Sequence, residues 1–226
     1  MALTTVLLAT EALHFHVAPM QCYTNRHLRF LLRRLNEDVV LWTEMEKASD
    51  LLSSDEAMDR RLRHDEVEHP LVLQLGGGDA KELARATRLA VTRYLFDEVN
   101  LNCGCPSIET GGAAYGASLM RRPSHTRSLL EAVAEACDLP VSLKCRIAAH
   151  EGLNADSSLP TERYEDLHGF VEEVSSTGAI SHVVVHARAA ILSGLSPRAN
   201  RCGQHMAFIS SACFPCAVSS RASSRA

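Results

Sequence analysis

The stretch LVLQLGGGDAKELARATRLAVTRYLFDEVNLNCGCPS, residues 71–107, decides the fold of this chain. It begins with the apolar run Leu71–Leu75 and contains a second such run at Asp97–Asn102, and both have the length and composition of buried strands. Between the two runs, Asp79 can cap an amphipathic helix, with Glu82 placed three residues later as in a capping box. A strand, a helix and a strand in this order predict parallel strands joined by a crossover helix.

The same alternation extends over most of the chain. Two further helices are predicted from their start signals, one capped by Ser124 and one beginning at Thr161, and Gly178 is placed to end the second. Repeats of this size suit a (β/α) barrel and a doubly wound sheet equally well. The six candidate strands are Phe15–Ala18, Val39–Thr43, Leu71–Leu75, Asp97–Asn102, Val141–Arg146 and His182–Ala187.

The alternating pattern stops after Arg201. Residues 202–226 are rich in Ser, Ala and Cys and show no helix or strand period, which predicts a disordered tail. A complete barrel of eight strands needs roughly 250 residues, so residues 1–201 are expected to form a partial barrel domain with about six of the eight strands. Metal binding is not predicted, because the zinc-knuckle pattern in the tail, formed by Cys202, His205, Cys213 and Cys216, is weak.

Composition indicates a globular domain with no overall attraction to nucleic acid. Hydrophobic residues make up 46% and charged residues 22%, and the formal net charge is −4. Any RNA contact must therefore come from local basic clusters, each of which could equally be a solvated helix face. No apolar run is long enough for a bilayer and no secretory signal is recognisable, so reduced cysteines and a cytoplasmic location are expected. The basic clusters are Arg26, Arg29, Arg33 and Arg34, then Arg60, Arg61 and Arg63, then Arg121 and Arg122.

Polar residues interrupt the apolar strands near their carboxyl ends. Side chains alternate along a strand, so residues i and i+2 share a face. Each polar residue alone could be a satisfied core group. Four strands with this feature at the same end predict a binding site, because ligands of (β/α) barrels lie there. These residues are Gln74 in the third strand, Asn100 and Asn102 in the fourth, Lys144 and Arg146 in the fifth, and His186 and Arg188 in the sixth.

The loop after the fourth strand, Cys103-Gly-Cys-Pro-Ser107, adds a candidate reactive group. Gly104 allows a close turn of the backbone and Pro106 restricts the turn after Cys105. Most thiols are protonated at neutral pH, so Cys105 could donate a proton as well as act as a nucleophile. A metal ligand or an inert loop cysteine is the alternative, although Cys-x-Cys without a second pair is weak evidence for zinc.

Together these stretches resemble the tRNA-dihydrouridine synthase family, and its bacterial A-type branch in particular. The resemblance covers the chain from about Val17 to Arg201 and implies an α/β fold of the (β/α)8 TIM-barrel type that binds FMN, followed by a small helical domain that helps to hold tRNA. Its most specific part is NLNCGCPS followed by the KCR and HAR strands. The matching segments are VAPMQCYTNRHLRFLLRRL, LWTEM, HPLVLQLGGGD, EVNLNCGCPS, YGASLM, PVSLKCRI and VVVHARAAILSGLSPRANR.

The resemblance implies a role for each polar residue. Cys105 matches the catalytic cysteine, which protonates C5 of uracil after hydride passes from FMN to C6, with NADPH as the reductant. Cys103 occupies a position that is usually aliphatic and is read as a small buried hydrophobe. The implied partner is tRNA, and a monomer is expected. The implied flavin contacts are Ala18, Pro19, Met20, Gln74, Lys144 and His186, and the implied substrate contacts are Asn100, Asn102, Arg146 and Arg188.

The sequence departs from the family pattern after Arg201. The Asn-Gly-Gly and Gly-Arg turns that hold the FMN phosphate in the family have no match there. The chain alone is therefore expected to bind FMN weakly and to be weakly active or inactive; a purified yellow protein with stoichiometric flavin would contradict this. Two other functions stay open: an FMN barrel of the dihydroorotate dehydrogenase type, and an inactive fragment that only binds RNA or a partner. A tRNA modification assay distinguishes a dihydrouridine synthase from another FMN barrel. Flavin absorbance distinguishes either enzyme from an inactive fragment.

Overall fold

The computed structural model describes residues 14–106 and 115–202, apart from 157, 159, 162, 194 and 196–198. Its strands are β1 (Leu41–Lys47), β2 (Leu71–Gly76), β3 (Glu98–Cys103), β4 (Val141–Arg146), β5 (Ala149–His150), β6 (His182–His186) and β7 (Ala190–Ile191). Its α-helices are α1 (Arg26–Leu35), α2 (Ala48–Leu51), α3 (Asp55–Leu62), α4 (Ala80–Arg93), α5 (Pro123–Glu135), α6 (Tyr164–Ser175) and α7 (Ala199–Cys202), and two 3-10 helices span Glu66–Glu68 and Gly116–Arg121. Five strands form a parallel sheet in the order β1-β2-β3-β4-β6, and β5 pairs with β7 beside it.

The sheet has one apolar face because alternate residues of its strands point to the same side. Leu73, Val99 and Leu143 are each fully buried on this face and belong to the hydrophobic core. The same core includes the buried sides of α4, α5 and α6, for example Leu83 and Leu129. Burying a side chain of leucine size contributes about 1.5–3 kcal/mol. The helices are thus held against one side of the sheet, and the other side is left for polar residues.

The sheet has one edge at β1 and the other at β6, and its strands follow one another in chain order. His16 lies beside β1, where it forms a parallel bridge with Val40, and His182 begins β6 at the opposite edge. Burial lowers the pKa of His16, and the charge of His182 lowers it further. Parallel strands in sequential order, with the connecting helices packed on one side, make the described residues an incomplete (β/α) barrel, which confirms the predicted fold class.

The structure confirms that the three predicted helices exist, but two of their three predicted starts are wrong. The Asp79 carboxylate accepts a hydrogen bond from the Glu82 amide at 2.9 Å, so the predicted cap of α4 is confirmed. The predicted cap at Ser124 is wrong, because α5 begins one residue earlier at Pro123, whose fixed φ suits the first turn of a helix. The predicted start at Thr161 is also wrong, since α6 begins at Tyr164. Gly178 follows α6 with a φ of +68°, as predicted for a helix end.

Val141–Arg146 is predicted with its observed bounds, three other strands differ by one residue at one or both ends, and the first two differ more. Phe15–Ala18 contributes only the single bridge between His16 and Val40, and the strand predicted at Val39–Thr43 begins at Leu41 and continues to Lys47. The second half of this strand was not predicted because it contains charged residues. Glu46 is nevertheless buried, since its carboxylate forms an ion pair with Arg61 at 2.9 Å. Sequence periodicity cannot reveal such an ion pair, because the partner lies on another element.

The first basic cluster is partly structural. Arg29 is buried, and its Nε atom donates to the Glu68 carboxylate at 2.6 Å. Arg33 is also buried and donates from Nη2 to the carbonyl of Val39 at 2.7 Å. These two arginines attach α1 to the first 3-10 helix and to the segment before β1, which leaves Arg26 and Arg34 as the exposed members of the cluster. The predicted tail from residue 203 onwards lies outside the described residues, as do most of the zinc-knuckle ligands. None of the described helices is long and apolar enough to cross a bilayer.

Candidate active site

The polar face of the sheet collects the residues that the sequence singled out. Gln74 lies opposite Asn100 in the β2–β3 ladder, and Asn102 lies opposite Lys144 in the β3–β4 ladder. One level further along, Arg146 lies opposite His186, the last residue of β6. The register thus places these side chains on one face, and each successive pair lies nearer to the carboxyl edge of the sheet. Gln74, Lys144 and His186 are gathered on this face, as the predicted site requires.

The amide side chains on this face bind one another. Gln74 Nε2 donates to Asn100 Oδ1 at 2.9 Å, and Asn102 Nδ2 donates to Gln74 Oε1 at 2.9 Å. Asn100 Nδ2 donates in turn to Ser142 Oγ at 2.7 Å. Asn100 is fully buried and lies behind Asn102, farther from the carboxyl edge. Its predicted contact with a substrate stays a prediction, whereas its contacts with Gln74 and Ser142 are observed.

The Cys105 loop is held at the carboxyl edge of this face from both sides. Asn102 Oδ1 accepts hydrogen bonds from the amides of Gly104 at 3.1 Å and Cys105 at 2.9 Å. The Cys105 carbonyl accepts from the Ala117 amide at 2.8 Å, which attaches the loop to the second 3-10 helix. The thiol-bearing residue is partly buried, so it lies at the surface of the site and not in the core.

Cys103, by contrast, is part of the hydrophobic core. It is fully buried on the apolar face, where it lies opposite Cys145 in the β3–β4 ladder. Burial raises the pKa of Cys103 well above its usual value and raises that of Cys145 to about 12. The prediction that Cys103 behaves as a small buried hydrophobe is therefore confirmed.

We expect Gly116→Ala to destabilise the protein through the Cys105 loop. Gly116 has a φ of +65°, and an added Cβ would lie 2.5 Å from the Cys105 carbonyl oxygen. The left-handed backbone alone costs about 1–2 kcal/mol for a residue with a side chain, and the contact adds to this cost. Gly169→Ala is the matched control: Gly169 lies in α6 with no neighbouring atom within 4 Å, and alanine there should stabilise by about 0.5–1 kcal/mol. Urea unfolding measures both changes; effects of the same sign would contradict this account.

Three cationic side chains, Lys144, Arg146 and Arg188, give the carboxyl edge its positive charge. Burial lowers the pKa of Lys144, and the charge of Arg146 lowers it further. Lys144 forms no ion pair with any residue in the part of the chain that the structure describes. A buried ammonium group without a carboxylate is costly, and an anionic ligand would lower that cost. This edge is therefore suited to an anion.

Arg146 is turned towards the backbone. It is buried, and its Nε atom donates to the Gly104 carbonyl at 3.0 Å. Its Nη1 atom donates to the carbonyls of Ala189 at 3.2 Å and Asn200 at 3.3 Å. Arg146 thus joins the Cys105 loop to the segment after β6. Its predicted contact with a substrate stays a prediction.

The sequence pattern suggested that Arg188 continues the strand face of His186. In the structure Arg188 lies beyond the end of β6. The strand ends at His186, and the Arg188 amide donates to the His186 carbonyl at 2.6 Å in a tight turn. The Arg188 Nε atom is buried and has no hydrogen-bond partner among the described residues. An unsatisfied buried donor costs about 1–3 kcal/mol, so a ligand that accepts from it would be stabilised there.

We expect His186 to make stability depend on pH. Burial, and then the charges of Arg146, Lys144 and Arg188, lower the pKa of His186 to about 4. The unfolded imidazole has a pKa near ~6.5, so between these values the unfolded chain binds more protons. The stability associated with the neutral His186 side chain is fully present above pH ~6.5 and is lost as the pH falls towards 4.

The substitution His186→Gln removes this titration. The free energy of unfolding of the parent should therefore fall more steeply between pH ~6.5 and ~4.5 than that of the variant. Urea unfolding at several pH values within this range measures both slopes. Parallel slopes would show that His186 does not titrate as its surroundings require.

The predicted segment Ala18–Pro19–Met20 approaches the barrel beside its first strand. Ala18 and Met20 are exposed and Pro19 is partly buried. The Met20 carbonyl accepts hydrogen bonds from the amides of Tyr23 and Thr24, both at 3.0 Å, so this segment ends in a well-defined turn. Its predicted role at the flavin stays a prediction.

The sequence reasoning missed two polar groups on the same face. Ser142 is fully buried between Asn100 and Glu98, and it donates to the Glu98 carboxylate. Alternation could have revealed both, since Glu98 precedes Asn100 by two residues and Ser142 precedes Lys144 by two. A third missed residue, Asn200, accepts from the Ile191 amide at 2.8 Å; no pattern in the sequence indicated it.

A small cavity lies away from these residues. It measures about 160 Å³ and lies between the second 3-10 helix, the end of β4 and α6, with Met120, Ile147 and Phe170 in its wall. Cofactor sites usually measure about 300–1,000 Å³. None of the residues predicted to bind flavin or substrate lines it, so the candidate site is the polar face itself.

Comparison with known proteins identifies the family to which this chain is similar. The model of the family described as dihydrouridine synthase matches residues 16–209. A tRNA-dihydrouridine(20/20a) synthase of Xanthomonas campestris pv. campestris is 42% identical over 191 residues, which cover 84% of this chain and 53% of that protein. The protein of the same name from Pseudomonas putida is 45% identical over 187 residues, covering 83% and 52%. The one from Vibrio parahaemolyticus is 38% identical over 192 residues, covering 85% and 55%.

The family match includes every residue of the candidate site. The family match begins at His16, before Ala18, and continues beyond Arg188. The chain spans about half the length of the curated relatives it matches. On the extent of the family match and the level of identity, this chain belongs to the dihydrouridine synthase family.

Proposed function

We propose that this chain carries the site at which uridine in tRNA is reduced to 5,6-dihydrouridine with FMN and NADPH. One observation carries the proposal: amide and cationic side chains of neighbouring strands share one face, and the Cys105 loop lies at its carboxyl edge. The names of the relatives support the substrate class. Because those relatives are about twice as long, the activity of a whole protein of this kind is part of the proposal.

The residues present fit a planar, anionic group such as flavin. Lys144 would place a positive charge against the pyrimidine edge of the ring, and Gln74 retains an amide hydrogen that is not used by Asn100. With a pKa of about 4, His186 is neutral at pH 7 and would bind as a hydrogen-bonding group without charge. Bound FMN would supply the hydride that reaches C6 of the uracil. The backbone of Ala18–Pro19–Met20 would border the flavin.

The chain's own residues would complete the reduction and hold the base. The Cys105 thiol would donate its proton to C5, so that C5 and C6 each gain one hydrogen. Asn102 retains one amide hydrogen beyond its bond to Gln74, which suits the edge of an extruded uracil. Arg188 would face the base or nearby phosphates, Arg146 would hold the Cys105 loop in place, and Asn100 would support Asn102 from behind.

The proposed partner and compartment follow from the substrate. Substrate tRNA would reach the carboxyl edge of the barrel, where the candidate residues lie. Because the substrate is tRNA, we assign the reaction to the cytoplasm. We propose that the protein acts as a monomer, since the residues of the proposed site all lie on one chain.

A hybrid protein tests the proposal. Residues 16–202 of this chain replace the matched region of the Pseudomonas putida relative, and the purified hybrid is incubated with FMN, NADPH and an unmodified tRNA transcript. We expect dihydrouridine, detected as a mass increase of about two units in the tRNA digest, as addition of one hydride and one proton requires. Tight flavin binding with no dihydrouridine would favour another FMN oxidoreductase. Salt-sensitive tRNA binding without flavin would favour an RNA-binding fragment.

A further inference from the structure

A chain of hydrogen bonds crosses the polar face below the proposed site. It begins at Glu98, at the amino end of β3, whose carboxylate accepts from Ser142 Oγ. The same Ser142 oxygen accepts from Asn100 Nδ2 at 2.7 Å. His182 Nε2 lies 3.5 Å from the Glu98 carboxylate and borders this end of the chain.

The chain continues to the Cys105 loop without a break. Asn100 Oδ1 accepts from Gln74 Nε2 at 2.9 Å, and Gln74 Oε1 accepts from Asn102 Nδ2 at 2.9 Å. Asn102 Oδ1 then accepts from the backbone amides of Gly104 at 3.1 Å and Cys105 at 2.9 Å. Every side chain between Glu98 and the loop is therefore both a donor and an acceptor.

Both ends of the chain have a fixed polarity. A carboxylate can only accept, and a backbone N–H can only donate. Each amide between them therefore has one orientation that satisfies all the bonds. Asn100 and Ser142 are fully buried and Gln74 is 1% exposed, so water cannot replace a lost partner in this part of the chain.

We propose that Glu98 and Ser142 are positioning residues for the Cys105 loop. They set the direction of the chain, and that direction turns Asn102 Oδ1 towards the amides of Gly104 and Cys105. Neither residue forms a hydrogen bond with the described residues of the loop, 104–106, so both act through Asn100, Gln74 and Asn102. The importance of this loop rests on the proposed role of Cys105.

The substitution Glu98→Gln makes the opposite direction available. A glutamine at this position can donate to Ser142, whose hydroxyl can then donate to a rotated Asn100 amide. Continued along the chain, this reversal turns the Asn102 NH₂ group towards the amides of the loop. In this reversed state two donors would face each other and the loop amides would lose their hydrogen bonds to Asn102. The loop amides still favour the parent direction, but even a minor reversed population speeds their exchange.

Hydrogen exchange of the purified chain tests the proposal without flavin or tRNA. In Glu98→Gln we expect the amides of Gly104 and Cys105 to exchange about tenfold faster, as loss of a buried acceptor implies. Amides in the middle of β2 and β4 should keep the parent's rates. Ser142→Ala should have the same local effect, whereas Ser142→Thr, which keeps the hydroxyl, should restore exchange to within about twofold of the parent.

The control is Tyr94→Phe, which removes a hydrogen bond of 3.2 Å to Asp59 on the opposite side of the sheet and should leave the loop's exchange unchanged. Parent-like exchange of the loop in both Glu98→Gln and Ser142→Ala would overturn the proposal. Faster exchange spread evenly over the sheet would overturn it too, because it would show a merely structural role. If Glu98→Gln does not fold, the pair Ser142→Ala and Ser142→Thr decides the matter. Failure of this test would leave the proposed reaction standing, and loss of the reaction would leave this test standing.

Discussion

Cys105→Ala is expected to slow uridine reduction by the hybrid protein by about 10²–10⁴-fold, the usual contribution of a general acid. The physical reason is that the thiol is the group proposed to protonate C5, and its loop is held at the carboxyl edge through the amides of Gly104 and Cys105. Flavin affinity should stay within about threefold of the parent, because the proposed flavin contacts lie on other strands. Turnover is measured from dihydrouridine formed in a tRNA transcript, and flavin affinity by fluorescence titration.

The neighbouring thiol provides the matched control. Cys103→Ala removes a sulfur atom two residues away, but Cys103 is buried in the core on the apolar face. It should lower stability by about 1 kcal/mol and leave turnover within about threefold of the parent. Undiminished turnover in Cys105→Ala would refute the assignment of the acid. Equal losses in the two variants would point to disturbed packing as the cause.

Lys144→Met is expected to weaken FMN binding by the hybrid protein by about 10–150-fold. A hydrogen bond to a charged group contributes about 1.5–3 kcal/mol, and each 1.4 kcal/mol is a factor of ten in affinity. Lys144 forms no ion pair among the described residues, and burial lowers the pKa of its ammonium group, so the ligand would be its main counter-charge. Methionine keeps much of the length of the side chain and removes the charge.

An exposed lysine provides the control for this substitution. Lys81 lies in the first turn of α4 and faces solvent. Lys81→Met should change FMN affinity less than about twofold, since exposed charges are well screened. The dissociation constants are measured by quenching of flavin fluorescence at constant ionic strength. Unchanged affinity in Lys144→Met would remove the main argument for placing flavin on this face.

The sharing of one face by the polar residues could be predicted from the sequence. The side-chain period of a strand is fixed at two residues, so Asn100 and Asn102 had to share a face, as did Lys144 and Arg146. Parallel strands also end at the same edge of a sheet, which brought the sets of neighbouring strands together. The cap of α4 at Asp79 was predictable for a similar reason, because its partner, the Glu82 amide, is only three residues away.

The partners of these side chains could not be predicted in the same way. Ser142 binds Asn100 because the register of β3 and β4 places them opposite each other, and register is a property of two strands. Arg146 was expected to face a ligand, yet three backbone carbonyls from distant segments accept its hydrogen bonds. The continuation of β1 to Lys47 could not be predicted, because the buried Glu46 carboxylate forms an ion pair with Arg61 of helix α3.

The central claim is that the polar face, with Cys105 at its edge, is where flavin binds. A crystal structure of the hybrid protein grown with FMN tests it most directly. The account predicts the flavin ring against Gln74, Lys144 and His186, with polar atoms of the ring at about 2.7–3.2 Å from at least two of these side chains. Flavin bound elsewhere, for example at the cavity beside Phe170, with the polar face free of it, would contradict the account.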